Sequence, residues 1–143
     1  LLVGGGLADR FYGRLASARF WIILLALCGG GPCIFLLGAG TTLNTTRIAA
    51  MAFGFFAGFI AANQAACAFD VVPANLRATT VGILNLLGAT ISGFAPFLGG
   101  LARRTIGVDQ LMTYTAMAYF ITALVLLYGI LRHFQRDHQR AMV

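Results

Sequence analysis

The 143-residue chain contains no lysine and no glutamate; its charge comes from ten arginines and four aspartates, and charged residues make up only 10% of it. A soluble domain is usually about 25% charged, so this composition excludes a fully solvated surface. A net charge of +6 would suit a nucleic-acid binder only if the arginines clustered on one face. They stand instead between long apolar runs, and no nucleic-acid partner is expected. The three cysteines, Cys28, Cys33 and Cys67, all fall inside those runs, without disulfide or zinc spacing, and read as small buried hydrophobes. Phosphate-binding loops, nucleophile-base pairings and metal-ligand clusters are also missing, so neither an enzyme nor a cofactor or metal site is expected.

What is present is 59% hydrophobic residues and a mean hydropathy of +0.86. Charge is absent for 27 residues between Arg19 and Arg47, 22 between Arg47 and Asp70, 25 between Arg77 and Arg103, and 22 between Asp109 and Arg132. A helix rising about 1.5 Å per residue needs roughly 20 residues to cross a hydrocarbon layer of about 30 Å. The spacing therefore predicts an all-α membrane protein with transmembrane helices at 20–43, 48–69, 78–102 and 110–131. Residues 1–6 read as the end of a preceding helix, 7–19 as a loop and 132–143 as a basic tail. Nothing resembles a cleavable leader.

The arginines suggest an orientation. With the first loop cytoplasmic, that side collects Arg10, Arg14, Arg19, Arg77, Arg132, Arg136 and Arg140, against Arg47, Arg103 and Arg104 outside. Phe20 and Trp21 beside Arg19, and Tyr128 near Arg132, suit interfacial anchoring. Arg103 and Arg104 run against the bias.

Within the first span, Gly29-Gly30-Gly31-Pro32 predicts a kink, since a loop would expose unpaired backbone to lipid. Asn44-Thr45-Thr46 reads as a short polar connection, its match to a glycosylation acceptor being coincidental. Gly54 and Gly58 have the small-xxx-small spacing that permits close helix packing. On the third span Gly82, Asn85, Ala89, Ser92 and Pro96 form a small and polar stripe. The bulky stripe of Leu84, Leu87, Ile91, Phe94 and Leu98 lies roughly 200° around and is expected to meet lipid. Asn63, Gln64 and Asn85 are the intramembrane polar side chains of note, and interhelical hydrogen bonding or contact with a solute would each account for them. No carboxylate, histidine or arginine lies at mid-membrane depth in the four spans. His133 and His138 read as parts of a solvated helix end.

Gly5-Gly6-Leu7-Ala8-Asp9-Arg10-Phe11-Tyr12-Gly13-Arg14 resembles the signature loop of the major facilitator superfamily, G-x-L-x-D-R-x-G-R, with one extra residue before Gly13-Arg14. The segment from Asp70 through Pro73 and Arg77 to Gly82 resembles the loop between helices ten and eleven in organic-anion and sugar symporters of that superfamily. The order of spans agrees with helices nine to twelve and covers nearly the whole chain.

That resemblance implies four helices of the C-terminal six-helix bundle of a secondary transporter, with Gly54, Gly58, Gly82 and Pro96 in packing or hinge positions. It implies alternating access for a small solute, with an organic anion or sugar favoured and a proton or sodium ion as possible coupling partner. Helices ten and eleven would line the path, making Asn63, Gln64 and Asn85 candidates for solute contact. Asp9, Arg10, Arg14, Asp70 and Arg77 would form a breakable cytoplasmic latch; alternatively the aspartates cap helices and Arg77 anchors a headgroup. The remaining partners would be membrane lipid and an N-terminal part of the same transporter, in a bacterial inner membrane. Two other readings are a complete four-helix transporter acting as a dimer, which lacks a buried ionisable residue for coupling, and a non-transporting membrane scaffold subunit.

Overall fold

A computed structural model gives the structure of residues 6, 10, 17–40 and 42–134. Four long helices account for nearly all of it: α1 (Ala18–Ala39), α2 (Leu43–Val71), α3 (Arg77–Thr105) and α4 (Val108–Arg132). At 22, 29, 29 and 25 residues they are each long and apolar enough to cross a membrane. Successive helices alternate in direction, so the start of α1 and the end of α2 share one end of the bundle with Arg77 and Arg132. This is called the Asp70 end below, and the opposite one the Arg104 end.

The helices overrun the uncharged stretches, because a helix can continue past the hydrocarbon boundary once its arginines reach the interface. Arg47 lies inside the first turns of α2, and Arg103 and Arg104 lie in the last turn of α3. Asn44-Thr45-Thr46 is not a connection but the opening of α2. Thr42 caps that helix, its Oγ1 accepting from the Thr45 amide at 3.3 Å and satisfying one of the free N–H groups at the terminus. The other end of α2 stops at Val72, whose extended backbone is what a residue before proline adopts. A 3-10 turn, Ala74–Leu76, follows directly. Between α3 and α4 the chain turns on Gly107 at φ +83, a conformation costly for a residue with a Cβ.

Five threonines inside the spans turn their hydroxyls back onto their own helix. Thr80, Thr90, Thr113, Thr115 and Thr122 each donate to the carbonyl four residues earlier, at 2.8–3.0 Å.

Packing centres on α1, which lies along both α2 and α4, whereas α3 touches α2 and α4 only sparsely. Helix α1 continues uninterrupted through Gly29-Gly30-Gly31-Pro32, and those glycines act as seats for rings. A Cβ at Gly29 would collide with Phe56 of α2; at Gly30 it would lie 3.2 Å from Tyr119, and at Gly31 3.0 Å from Phe120, both of α4. Gly38 brings α4 closer still, with Met112 Cβ 2.7 Å and the Asp109 backbone 3.3 Å from where a Cβ would sit. In a membrane such close approach supplies the van der Waals contact that hydrophobic association supplies in water.

The expected packing glycines behave differently. Gly54 and Gly82 have nothing within 4 Å of a built Cβ, and Pro96 is exposed, so among the described residues they make no close helix contact. Small residues favour tight packing only where a second helix arrives, and here the glycine-bearing side of α1 receives both neighbours. The bulky stripe of α3 also departs from expectation. Ile91 and Leu98 line a cavity of about 590 Å³ shared with Leu37 of α1, Phe53 of α2 and Met112 of α4, so they face the other helices across a gap. No residue of α3 is buried.

Candidate functional site

At the Asp70 end the antiparallel pairing of α1 and α2 brings together two charges 51 positions apart. Arg19 Nη1 donates to Asp70 Oδ1 at 2.9 Å, with the Arg19 side chain 19% exposed and the Asp70 side chain 6%. An aspartate so enclosed needs a charged partner, since a lone carboxylate in low dielectric would carry a large desolvation cost. Cys67, one turn before Asp70, is buried on the same side of α2, and Asn63, one further turn along, is enclosed almost completely. These three residues form an inward edge along the last turns of α2.

Arg77 goes elsewhere. Its Nε donates to the Val72 carbonyl at 3.4 Å, and its guanidinium lies 5.7 Å from the centre of the Phe69 ring. It thus braces the turn between α2 and α3. Arg10 is helical and exposed, while Asp9 and Arg14 lie outside the described residues. Among the described residues, the charged partner of Asp70 at this end is Arg19. Phe20, expected at the interface, meets Phe134 edge-on at 5.2 Å, tying the start of α1 to the end of α4.

Arg19 was not among the expected site residues. Its signal was available: Asp70 closes the second span, and a helical hairpin must return that end to the start of the first. Sequence spacing alone offered Arg77 as the nearer candidate, and the local turn makes a different use of it.

The three polar intramembrane candidates separate. Asn63 is 1% exposed and its Nδ2 donates to the Phe59 carbonyl at 2.9 Å, within its own helix. Gln64 and Asn85 are exposed. Adjacent positions on a helix point about 100° apart, which is why burial of Asn63 leaves Gln64 on a different face.

Two further hollows flank the bundle. A groove of about 720 Å³ between α1 and α2 is walled by Trp21, Leu25, Phe55, Phe56 and Phe59, with the Trp21 indole and the Cys28 thiol as its polar side chains. Such a surface suits apolar chains and has no charged group to orient a hydrophilic solute. The second, about 370 Å³, follows α3 from Pro96 to Arg104.

Comparison with known proteins bears directly on this architecture. Over 134 residues, 92% of the chain, it is 28% identical to the staphyloferrin B transporter of Staphylococcus aureus, covering 31% of that protein. Over 126 residues, 87% of the chain, it is 28% identical to the uncharacterized MFS-type transporter YuxJ of Bacillus subtilis, covering 32% of it. The chain is similar to major facilitator transporters. It spans about a third of the length of these two relatives. No family model and no solved structure matches it. Four membrane-length apolar helices together with these relatives make it an integral, multi-pass membrane protein, all-α in its described residues.

Proposed function

We propose that this chain forms helices nine to twelve of a major facilitator transporter and takes part in moving a small solute across a bacterial inner membrane by alternating access. One observation carries the reading: the similarity to transporters extends along 92% of the chain and coincides with four antiparallel, membrane-length helices. In such a carrier two bundles rock about a path near the midplane. The four helices divide accordingly. Helices α1 and α4, joined through Gly30, Gly31 and Gly38, form a supporting layer, and α2 and α3 border the path.

The ion pair of Arg19 with Asp70 fits the role of a clamp within this bundle, keeping the ends of α1 and α2 together while the bundle moves as a body. Asp9, Arg10 and Arg14 belong on this reading to the latch where the bundle meets its counterpart, with Arg77 bracing the turn beside it. Gln64 and Asn85 are the side chains offered to solute, being exposed, whereas Asn63 serves packing. An organic anion or sugar is the favoured cargo, driven by a proton or sodium gradient whose titrating group lies on another part of the carrier, since α1 to α4 hold no carboxylate, histidine or arginine at mid-depth.

The test is exchange in proteoliposomes containing the intact protein, loaded with a panel of labelled organic acids and sugars, under inward and outward proton and sodium gradients. At least one solute should cross faster than in empty liposomes, and Asn85→Leu should raise its KM. Leakage no faster than in empty liposomes for the whole panel would overturn the transport reading.

A further inference from the structure

Arg103 and Arg104 are adjacent and both exposed, yet they leave α3 on different sides. At about 100° per residue, Arg103 stands on the side of Asn85 and Ser92. Arg104 instead lines the 370 Å³ groove with Pro96, Phe97, Gly100 and Leu101. Ile91, Ala95, Leu98 and Ala102 line the cavity that α3 shares with the other three helices. By the same helical period the groove and that cavity occupy opposite sides of α3, so the groove opens away from α1, α2 and α4.

The chemistry of this face says what covers it. Phe97 is 71% exposed and Leu101 55%, and the same side continues through Leu86 and Ile83, both exposed. Between them Thr90 donates its hydroxyl to the Leu86 carbonyl at 2.8 Å and offers its surroundings no free donor. From Pro96 to Arg104 the helix rises about 12 Å, which matches one leaflet of a hydrocarbon layer about 30 Å thick. At the polar end of that run stands one guanidinium, without an acidic partner among the described residues. An apolar strip one leaflet deep that ends in a single cation is the complement of a lipid with an anionic headgroup.

We infer that the groove holds one anionic phospholipid in the leaflet at the Arg104 end, with Arg104 as its selecting residue. The guanidinium pairs with the headgroup phosphate through its planar fork, and Phe97 and Leu101 flank the upper part of an acyl chain. Gly100, where nothing lies within 4 Å of a built Cβ, leaves a notch in which the chain settles against the backbone. A choline headgroup brings its own cation to the same place, so a lipid of net negative charge is preferred. One exposed guanidinium holds a free anion only weakly, whereas chains lying in the groove keep the phosphate at its level and raise its effective concentration there. The inference needs only that α3 crosses the membrane, and it stands apart from the transport reading.

The experiment is native mass spectrometry of the intact protein in a neutral detergent, titrated with phosphatidylglycerol and phosphatidylcholine of identical acyl chains. Phosphatidylglycerol should be retained in preference, and the preference should narrow as ionic strength rises. R104Q should weaken one phosphatidylglycerol-binding step by about fivefold, R104K should keep part of it, and R103Q should leave it unchanged. G100L, which fills the notch but keeps the arginine, should weaken the same step. All four positions are exposed, so the variants should remain folded, which size exclusion and circular dichroism verify. Millimolar glycerol phosphate, the soluble form of the headgroup, should leave the lipid bound. Wild-type protein without a preference between the two lipids would overturn the site, as would unchanged binding in R104Q or G100L. Equal weakening by R103Q and R104Q would assign the effect to diffuse surface charge, and displacement by glycerol phosphate would assign the groove to a free anion; either result removes the proposal.

Discussion

The enclosed pair of Arg19 with Asp70 allows a quantitative test of what holds the bundle together. Arg19→Gln removes the guanidinium from a carboxylate whose side chain is only 6% exposed, whereas Asp70→Asn leaves a guanidinium that is 19% exposed and able to swing outward on its long stem. Breaking an enclosed pair from one side costs about 3–5 kcal/mol, and an exposed pair at most about 1 kcal/mol. The asymmetry in burial therefore puts Arg19→Gln near 3 kcal/mol and Asp70→Asn nearer 1–2 kcal/mol. The double variant should cost less than the sum of the two, with a coupling of about 1–3 kcal/mol. Unfolding of the intact protein by SDS in mixed micelles measures all three. A second readout follows from Cys67, buried one turn from Asp70. In a background where Cys28 and Cys33 are replaced by serine and alanine, maleimide should modify Cys67 faster once the pair is broken. Additive single costs, or equal labelling rates in all variants, would refute the clamp.

Other consequences are simpler to state. Gly38→Ala should destabilise by about 1–3 kcal/mol, because the new methyl meets Met112 Cβ and the Asp109 backbone, which yield only if α1 and α4 separate. Gly54→Ala, with open space around it, should be neutral or slightly stabilising in the same SDS titration. Thr42→Ala should cost about 0.5–2 kcal/mol through loss of the α2 cap, and hydrogen exchange should rise at Thr45 first. Asn63→Leu should lower stability while leaving the KM of any transported solute unchanged, and Gln64→Leu should do the opposite; a KM shift for Asn63 alone would reverse their assignment.

Much of the architecture follows from elementary constraints. Backbone amides without water must bond within their own helix, and a chain with four uncharged stretches of about 20 residues or more has few other ways to satisfy them. The number of long helices, their alternation and the end at which each described arginine of α1 to α4 emerges were therefore legible in the order of residues. Helix ends were less so, since Thr42, Pro73 and Gly107 set them by capping and turn geometry while hydropathy fades gradually across the interface.

Which residues meet which was decided by tertiary structure. Arg77 lies seven positions from Asp70, and Arg19 lies 51 away, yet the hairpin of α1 and α2 gives Asp70 the distant arginine. Gly54 and Gly82 look as suitable for packing as Gly30 and Gly38, and only the arrival of Tyr119 and Met112 separates them. The physical reason is common to both cases. Hydropathy and helical period act along one chain and fix what crosses the membrane, whereas partner choice depends on which helix faces come together in space.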